Sequence, residues 1–119
     1  MATPKLIRQE DVNPAERAPG ITVSIMVEES TGATQITSGM VSYAPGSSIA
    51  THYHNAEESV IVIDGEGILV IQGVEHHVKA YDAAFITPGA QHRMINTGDR
   101  PFKLVWTYAT IHVVTTFVE

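Results

Sequence analysis

From residue 21 onward, apolar and polar positions alternate in short runs. Segments rich in valine, isoleucine and threonine, among them ITVSIMV, SVIVIDGEG, ILVIQG, VEHHVKAYD, AAFITPG and FKLVWTYATIHVVTTFV, are separated by glycine, proline, aspartate or asparagine. No window of helical length carries the roughly 3.6-residue period of an amphipathic helix. The pattern predicts an all-β chain, and such chains manage their sheet edges by rolling into a barrel or by packing two sheets as a jelly roll. Residues 1–20 hold three of the six prolines and little periodicity. They read as an irregular amino-terminal arm that ends by adding a strand or packing on a partner, ahead of a single β-domain over 21–119. Asp64-Gly65 suits a primed turn, so DGEG is expected to pair the VIVI strand with the ILVI strand as a hairpin.

The alternation places chemistry on particular faces. Successive side chains of a strand point to opposite sides, so in THYHNAEESVIVI His52 and His54 share one face and Tyr53 takes the other. Glu58 then has the parity of Val60 and Val62. Three polar groups directed into an apolar interior cost a few kcal/mol each unless they find partners, and one metal ion satisfies all three at once. Taken alone, the spacing also fits a solvated face bearing a surface acid.

Composition narrows the partners. The chain has 119 residues, enough for one core and not two. Its net charge of −6 leaves no basic stripe for phosphates, so nucleic acid is not expected as a partner. With no cysteine present, disulfides, thiolate nucleophiles and sulfur ligands are excluded, and any metal must be held by nitrogen and oxygen. No run approaches the roughly 18 apolar residues of a membrane span, and the amino terminus lacks the apolar stretch of a signal peptide. No membrane partner and a cytoplasmic location are the expectations.

Residues 46–65, GSSIATHYHNAEESVIVIDG, fit the pattern GxxxxxHxHxxxExxxxxxG through Gly46, His52, His54, Glu58 and Gly65. This resembles the first motif of the cupin superfamily. The second motif of that family, GxxxxxPxGxxHxxxN, falls on residues 81–96, YDAAFITPGAQHRMIN, where Gly89, His92 and Asn96 match, while Tyr81 replaces the first glycine and Thr87 the proline, with Pro88 one place late. The resemblance implies a single-domain jelly-roll (cupin) β-barrel, commonly homodimeric, in which His52, His54, Glu58 and His92 converge on one divalent transition metal. Three imidazoles and a carboxylate suit iron, manganese, nickel, zinc or copper.

The same parity argument extends to the pocket. Met94 and Asn96 share the face of His92, whereas Arg93 points outward toward an acid. In VEHHVKA, His76 has the parity of Val74 and Val78 and is expected indoors, as an outer partner of the ligands or as a general acid/base beside Glu58; backbone hydrogen bonding of a core histidine is the other reading. Phe102, Leu104, Trp106 and Tyr108 form an aromatic and aliphatic stripe, and with Met40 and Met94 they are expected to line the pocket. None of Arg8, Arg17, Arg93 and Arg100 takes an inward parity in a clear strand, and Lys103 opposes the stripe. The cavity should therefore lack a cationic fork. These features point to a metal-dependent enzyme with oxygenase or lyase/isomerase chemistry on a small, apolar, metal-chelating substrate. The alternative is a non-catalytic ligand-binding or sensor protein, since one fold hosts many functions.

Overall fold

The computed structural model describes residues 3–118. Two antiparallel sheets face each other, an all-β arrangement consistent with a jelly roll. The first has six strands in the spatial order β1 (Ala15–Ala18), β2 (Ile21–Val27), β3 (Thr37–Tyr43), β10 (Phe102–Tyr108), β5 (Glu58–Asp64) and β8 (Ala83–Ile86). The second has five: β11 (Thr115–Phe117), β4 (His52–His54), β9 (His92–Ile95), β6 (Glu66–Ile71) and β7 (Val74–Lys79). Only two short 3-10 turns, Gln9–Asp11 and Glu29–Thr31, interrupt this pattern among the described residues.

Period-two burial follows the sequence in the central strands. Glu58, Val60 and Val62 of β5 are buried while Ser59, Ile61 and Ile63 are exposed. In β10, Phe102, Leu104 and Trp106 turn inward. The core joins these residues and Val41 of the first sheet to Leu69 and Met94 of the second. Burying apolar side chains from both sheets fixes register, because a one-residue slip would turn every one of them to solvent.

Two expectations are corrected at this level. The Asp64-Gly65 turn does not close a hairpin: β5 pairs with β10 and β8, and β6 pairs with β7 and β9. The chain instead turns a corner from one sheet to the other. Gly65 has φ +77, and a Cβ there would lie 2.3 Å from the Pro101 carbonyl oxygen, so only glycine fits the corner. The hairpin is the one after it, β6 to β7, where Gln72 (φ 49) and Gly73 (φ 81) make the left-handed pair of a primed turn.

Met40 is the second correction. The inward positions of β3 are Thr37, Gly39, Val41 and Tyr43, so Met40 lies on the outer face between Ser24 and Val105. Apolar size is a poor guide here because the inward site is a glycine. A Cβ on Gly39 would come within 2.6 Å of the Trp106 ring, which occupies that space.

Candidate metal centre

Strand register assembles the site. His52 pairs with His92 across β4 and β9, Thr115 of β11 pairs with His54, and Tyr108 of β10 pairs with Glu58 of β5. The five-stranded sheet therefore contributes three imidazoles, and the six-stranded sheet faces them with a carboxylate and a phenol. His52, His54, Glu58 and His92 are all buried, His92 to 1% exposure. Ligand-competent atoms of the three histidines lie within 4.8 Å of one another, an arrangement that could hold a metal ion. Glu58 Oε1 is 3.2 Å from His92 Nε2 and 3.5 Å from His54 Nε2.

The protons on these rings are positioned from behind. His52 Nδ1 donates to the Ala50 carbonyl and His92 Nδ1 to the Ala90 carbonyl, each at 2.8 Å. A carbonyl can only accept, so in the neutral ring the inward Nε2 is bare. His54 Nδ1 meets Thr115 Oγ1 at 2.9 Å and its Nε2 meets the Tyr108 hydroxyl at 3.2 Å, two partners that can each donate or accept and so serve either tautomer. At His92 and Glu58 two acceptors then face each other, and neither Nε2 nor Oε1 has a hydrogen-bond partner among the described residues despite their 3.2 Å separation. Buried acceptors left in this way carry a desolvation cost that a shared cation removes. The donor set thus fits a divalent transition metal, with hydrogen bonds to the outer ring nitrogens of the kind that orient ligands.

Burial also governs the charge states. Desolvation lowers the His54 pKa to about 4 and holds His52 below its usual value, even though the Glu58 carboxylate pulls the other way. Burial, followed by the charge of Glu58, pushes the Tyr43 and Tyr108 phenols upward. A histidine whose folded pKa is depressed costs stability as pH falls below its unfolded value, near 6.5, because only the unfolded chain then takes up the proton. The metal-free protein should accordingly melt at a lower temperature at pH 5 than at pH 7, and His54→Gln should flatten that slope. A melting temperature independent of pH across this window, or a slope unchanged in the variant, would contradict the burial of a neutral His54.

A cavity of about 470 Å³ opens from His52, His54 and Glu58 between the two sheets, with His92 behind its lining. Met94, Leu104, Trp106 and Tyr108 line it as the stripe implies. Phe102 does not: it is 0% exposed, lies behind the wall and packs against Tyr43 at a ring distance of 5.9 Å. Inward parity identifies core and wall alike, and only depth separates them.

His76 is the larger correction. It pairs with Leu69 and so has the inward parity, yet it is exposed and is not part of the cavity. β7 is the edge of its sheet, and even Val74 is 56% exposed there. An exposed ring outside the cavity is in no position to act there as acid, base or outer partner of the ligands. The acid expected beside Arg93 is also absent among the described residues, and Arg93 donates instead to Ser48 Oγ at 3.0 Å.

Three contributors were not foreseen. Thr115 holds the His54 ring, and Phe117 of the same strand packs on His52 at 5.5 Å, so the carboxy-terminal segment forms one side of the site. Their signal is alternation in VVTTFV, which is visible but has no motif to anchor it. Arg17 of β1 also lines the cavity, contrary to the expectation that no arginine does.

The matched motifs, the paired sheets and the inward histidines together define a protein class. A family model described as a cupin domain matches residues 39–108, and the chain belongs to that family. It is 32% identical over 101 residues to the tetracenomycin polyketide synthase protein TcmJ of Streptomyces glaucescens, covering 84% of this chain and 68% of that protein. Protein SchB of Streptomyces halstedii is 30% identical over 103 residues, with 86% and 75% covered. The solved structure of the polyketide cyclase RemF from Streptomyces resistomycificus superposes with a TM-score of 0.86 over 98% of this chain and 87% of that one, at 22% identity, a likeness of fold. No helix among the described residues is long and apolar enough to cross a membrane.

Proposed function

We propose that the protein is a metal-dependent enzyme of the lyase/isomerase type that cyclises or rearranges small β-dicarbonyl or polyphenolic molecules, as in polyketide tailoring. The observation that carries this reading is the cavity itself: its wall is chiefly apolar, and its buried end presents the His52 and His54 imidazoles and the Glu58 carboxylate, with His92 Nε2 3.2 Å behind Glu58 Oε1. Such a site takes a molecule that is greasy along its length and carries chelating oxygens at one end. Two relatives named for polyketide assembly or cyclisation support the substrate class.

His52, His54, His92 and Glu58 would hold the ion, one of iron, manganese, nickel, zinc or copper. When bound, a divalent cation supplies Lewis acidity that polarises a chelated carbonyl and acidifies the methylene beside it. Glu58, which lines the cavity and whose Oε1 faces the histidines, accepts that methylene proton on its other carboxylate oxygen. The freed electron pair forms a carbon–carbon bond to a second carbonyl carbon of the same chain, and the oxygen there takes up a proton to become a hydroxyl. Tyr108 sits where it can supply that proton, its hydroxyl 3.2 Å from His54 Nε2 and its strand in register with Glu58. Loss of water completes an aromatic ring, and no oxidant is consumed. Leu104, Trp106 and Met94 exclude bulk water from the reacting carbons.

The test is to identify the metal by elemental analysis, then incubate the loaded protein with a linear aryl β-triketone. The expected result is an aromatic product one water lighter than the substrate. Absence of turnover together with an unperturbed cobalt-substituted spectrum on adding the triketone would refute the reading. A perturbed spectrum without turnover would leave a binding or sensor protein, and oxygen uptake by the ferrous form would favour oxygenase chemistry instead.

A cytoplasmic homodimer is the setting we assign to this activity. Ile61 and Phe85, 41% and 64% exposed on the outer face of the six-stranded sheet, form an apolar patch of the sort that subunits cover. Light scattering should return twice the 12.9 kDa chain mass, and a monomer would remove the assignment.

A further inference from the structure

We propose that Arg17 forms an anion subsite at the mouth of the cavity, so that the substrate carries a carboxylate at the end facing the opening. The inference rests on the reading above, in which chelating oxygens occupy the histidine end.

Position is the first argument. Arg17 is exposed and yet lines the cavity, which places it at the rim, while the imidazoles sit at the buried end. It reaches that rim through a backbone irregularity. Along β1, Glu16 pairs with Thr22 and Ala18 with Ile21, so Arg17 is an extra residue with no counterpart on β2. A bulge of this kind bends an edge strand and re-aims a side chain, and bulges concentrate beside functional sites. The β2 residues opposite the flanking positions, Val23 across from Ala15 and Ile21 across from Ala18, both line the cavity. The arginine is therefore inserted into the wall without disturbing the apolar contacts around it.

Availability is the second. Among the described residues Arg17 makes no ion pair and no side-chain hydrogen bond, whereas Arg100 binds Asp64 at 2.7 Å and Arg93 binds Ser48. Three other polar groups of the wall are engaged: Thr37 Oγ1 donates to the Thr110 carbonyl, Thr115 Oγ1 holds His54, and Tyr108 reaches His54. Only Glu58 and Arg17 bear full charges on the lining, and Glu58 belongs to the metal end. In a chain of net charge −6, a guanidinium held at the rim is a local attraction for an anion that the rest of the surface repels. Its planar fork matches a carboxylate through two parallel hydrogen bonds.

The test compares two probes on the zinc-loaded protein by calorimetry: 1-phenyl-1,3-butanedione, a neutral β-diketone, and its para-carboxylated analogue. The wild type should bind the carboxylated probe about tenfold more tightly, the scale of one charged hydrogen-bonded pair discounted for its exposure. Arg17→Ala should erase that preference and leave the neutral probe unchanged, and Arg17→Lys should keep part of it. Equal affinities in the wild type, or a preference that survives Arg17→Ala, would overturn the subsite and leave Arg17 a solvated surface cation. If the neutral diketone fails to bind at all, the chelation reading falls separately. Naphthalene-2-carboxylate against 2-naphthalenemethanol on the metal-free protein then decides the subsite: an Arg17-dependent preference for the acid supports it, and none refutes it.

Discussion

His92→Ala is expected to leave the protein folded and strip it of most of its bound metal. His92 is the most deeply buried of the three histidines, and its Nε2 and the facing Glu58 Oε1 are fully buried atoms of the site with no hydrogen-bond partner among the described residues. Truncation removes one imidazole and leaves His52, His54 and Glu58 too few to enclose the ion from the β9 side. Loss of an outer partner of a metal-bound histidine commonly weakens binding by about 10–100-fold, so loss of the ring itself should exceed that range. The fold has reason to survive: the backbone of β9 keeps its pairing with β6, and the side chain removed is polar, carrying none of the apolar contacts of Met94. Elemental analysis of protein purified in parallel with wild type supplies the readout, with far-ultraviolet circular dichroism as the check on folding. His76→Ala is the matched control, since that ring is exposed on β7 and should leave metal content unchanged. Full occupancy in His92→Ala, or depletion in the control, would overturn the site as drawn.

The part of this site that was legible in the sequence is the part governed by strand parity within one segment. His52, His54 and Glu58 sit two or four residues apart across a short turn, and inward parity turns all three to the interior; that Glu58 faces the histidines from the opposite sheet depends on the corner between β4 and β5. His92 became legible through its motif, because nothing local says that β9 lies beside β4. What stayed hidden depends on where a strand lies in its sheet. His76 and Leu69 are opposite each other, yet one is exposed and the other 3% exposed, since β7 is an edge and β6 is interior. Arg17 was hidden for a different reason: a bulge breaks the alternation on which every other assignment relies. Tyr81 illustrates how a motif departure reads out physically. It stands where the family pattern has glycine and keeps the φ of +76 that glycine would adopt, a conformation that strains a bulky residue, and it sits 85% exposed where the ring meets little.

Phe102→Ala should be the most damaging change to stability while sparing the chemistry. The ring is fully buried, packs against Tyr43, and fills the space that the absence of a side chain at Gly67 leaves open, where a Cβ would approach within 2.7 Å of it. On the Gly67 side the void is bounded by backbone that cannot close it: the Ile95 carbonyl oxygen lies 2.5 Å from the same Cβ position. Large-to-small changes at such sites cost about 3–5 kcal/mol. That is a large fraction of the roughly 5–15 kcal/mol that holds a typical domain together, and at about 4 °C per kcal/mol it lowers the melting temperature by about 15 °C. Because Phe102 lies behind the cavity wall, metal content and diketone affinity measured well below the transition should match wild type. Trp106→Ala, on the same strand face two residues further from Leu104, makes the contrast: its ring is part of the wall, so its loss should weaken diketone binding as well as stability. Should Phe102→Ala abolish ligand binding at 10 °C while melting like wild type, the division between core and wall along β10 would be wrong.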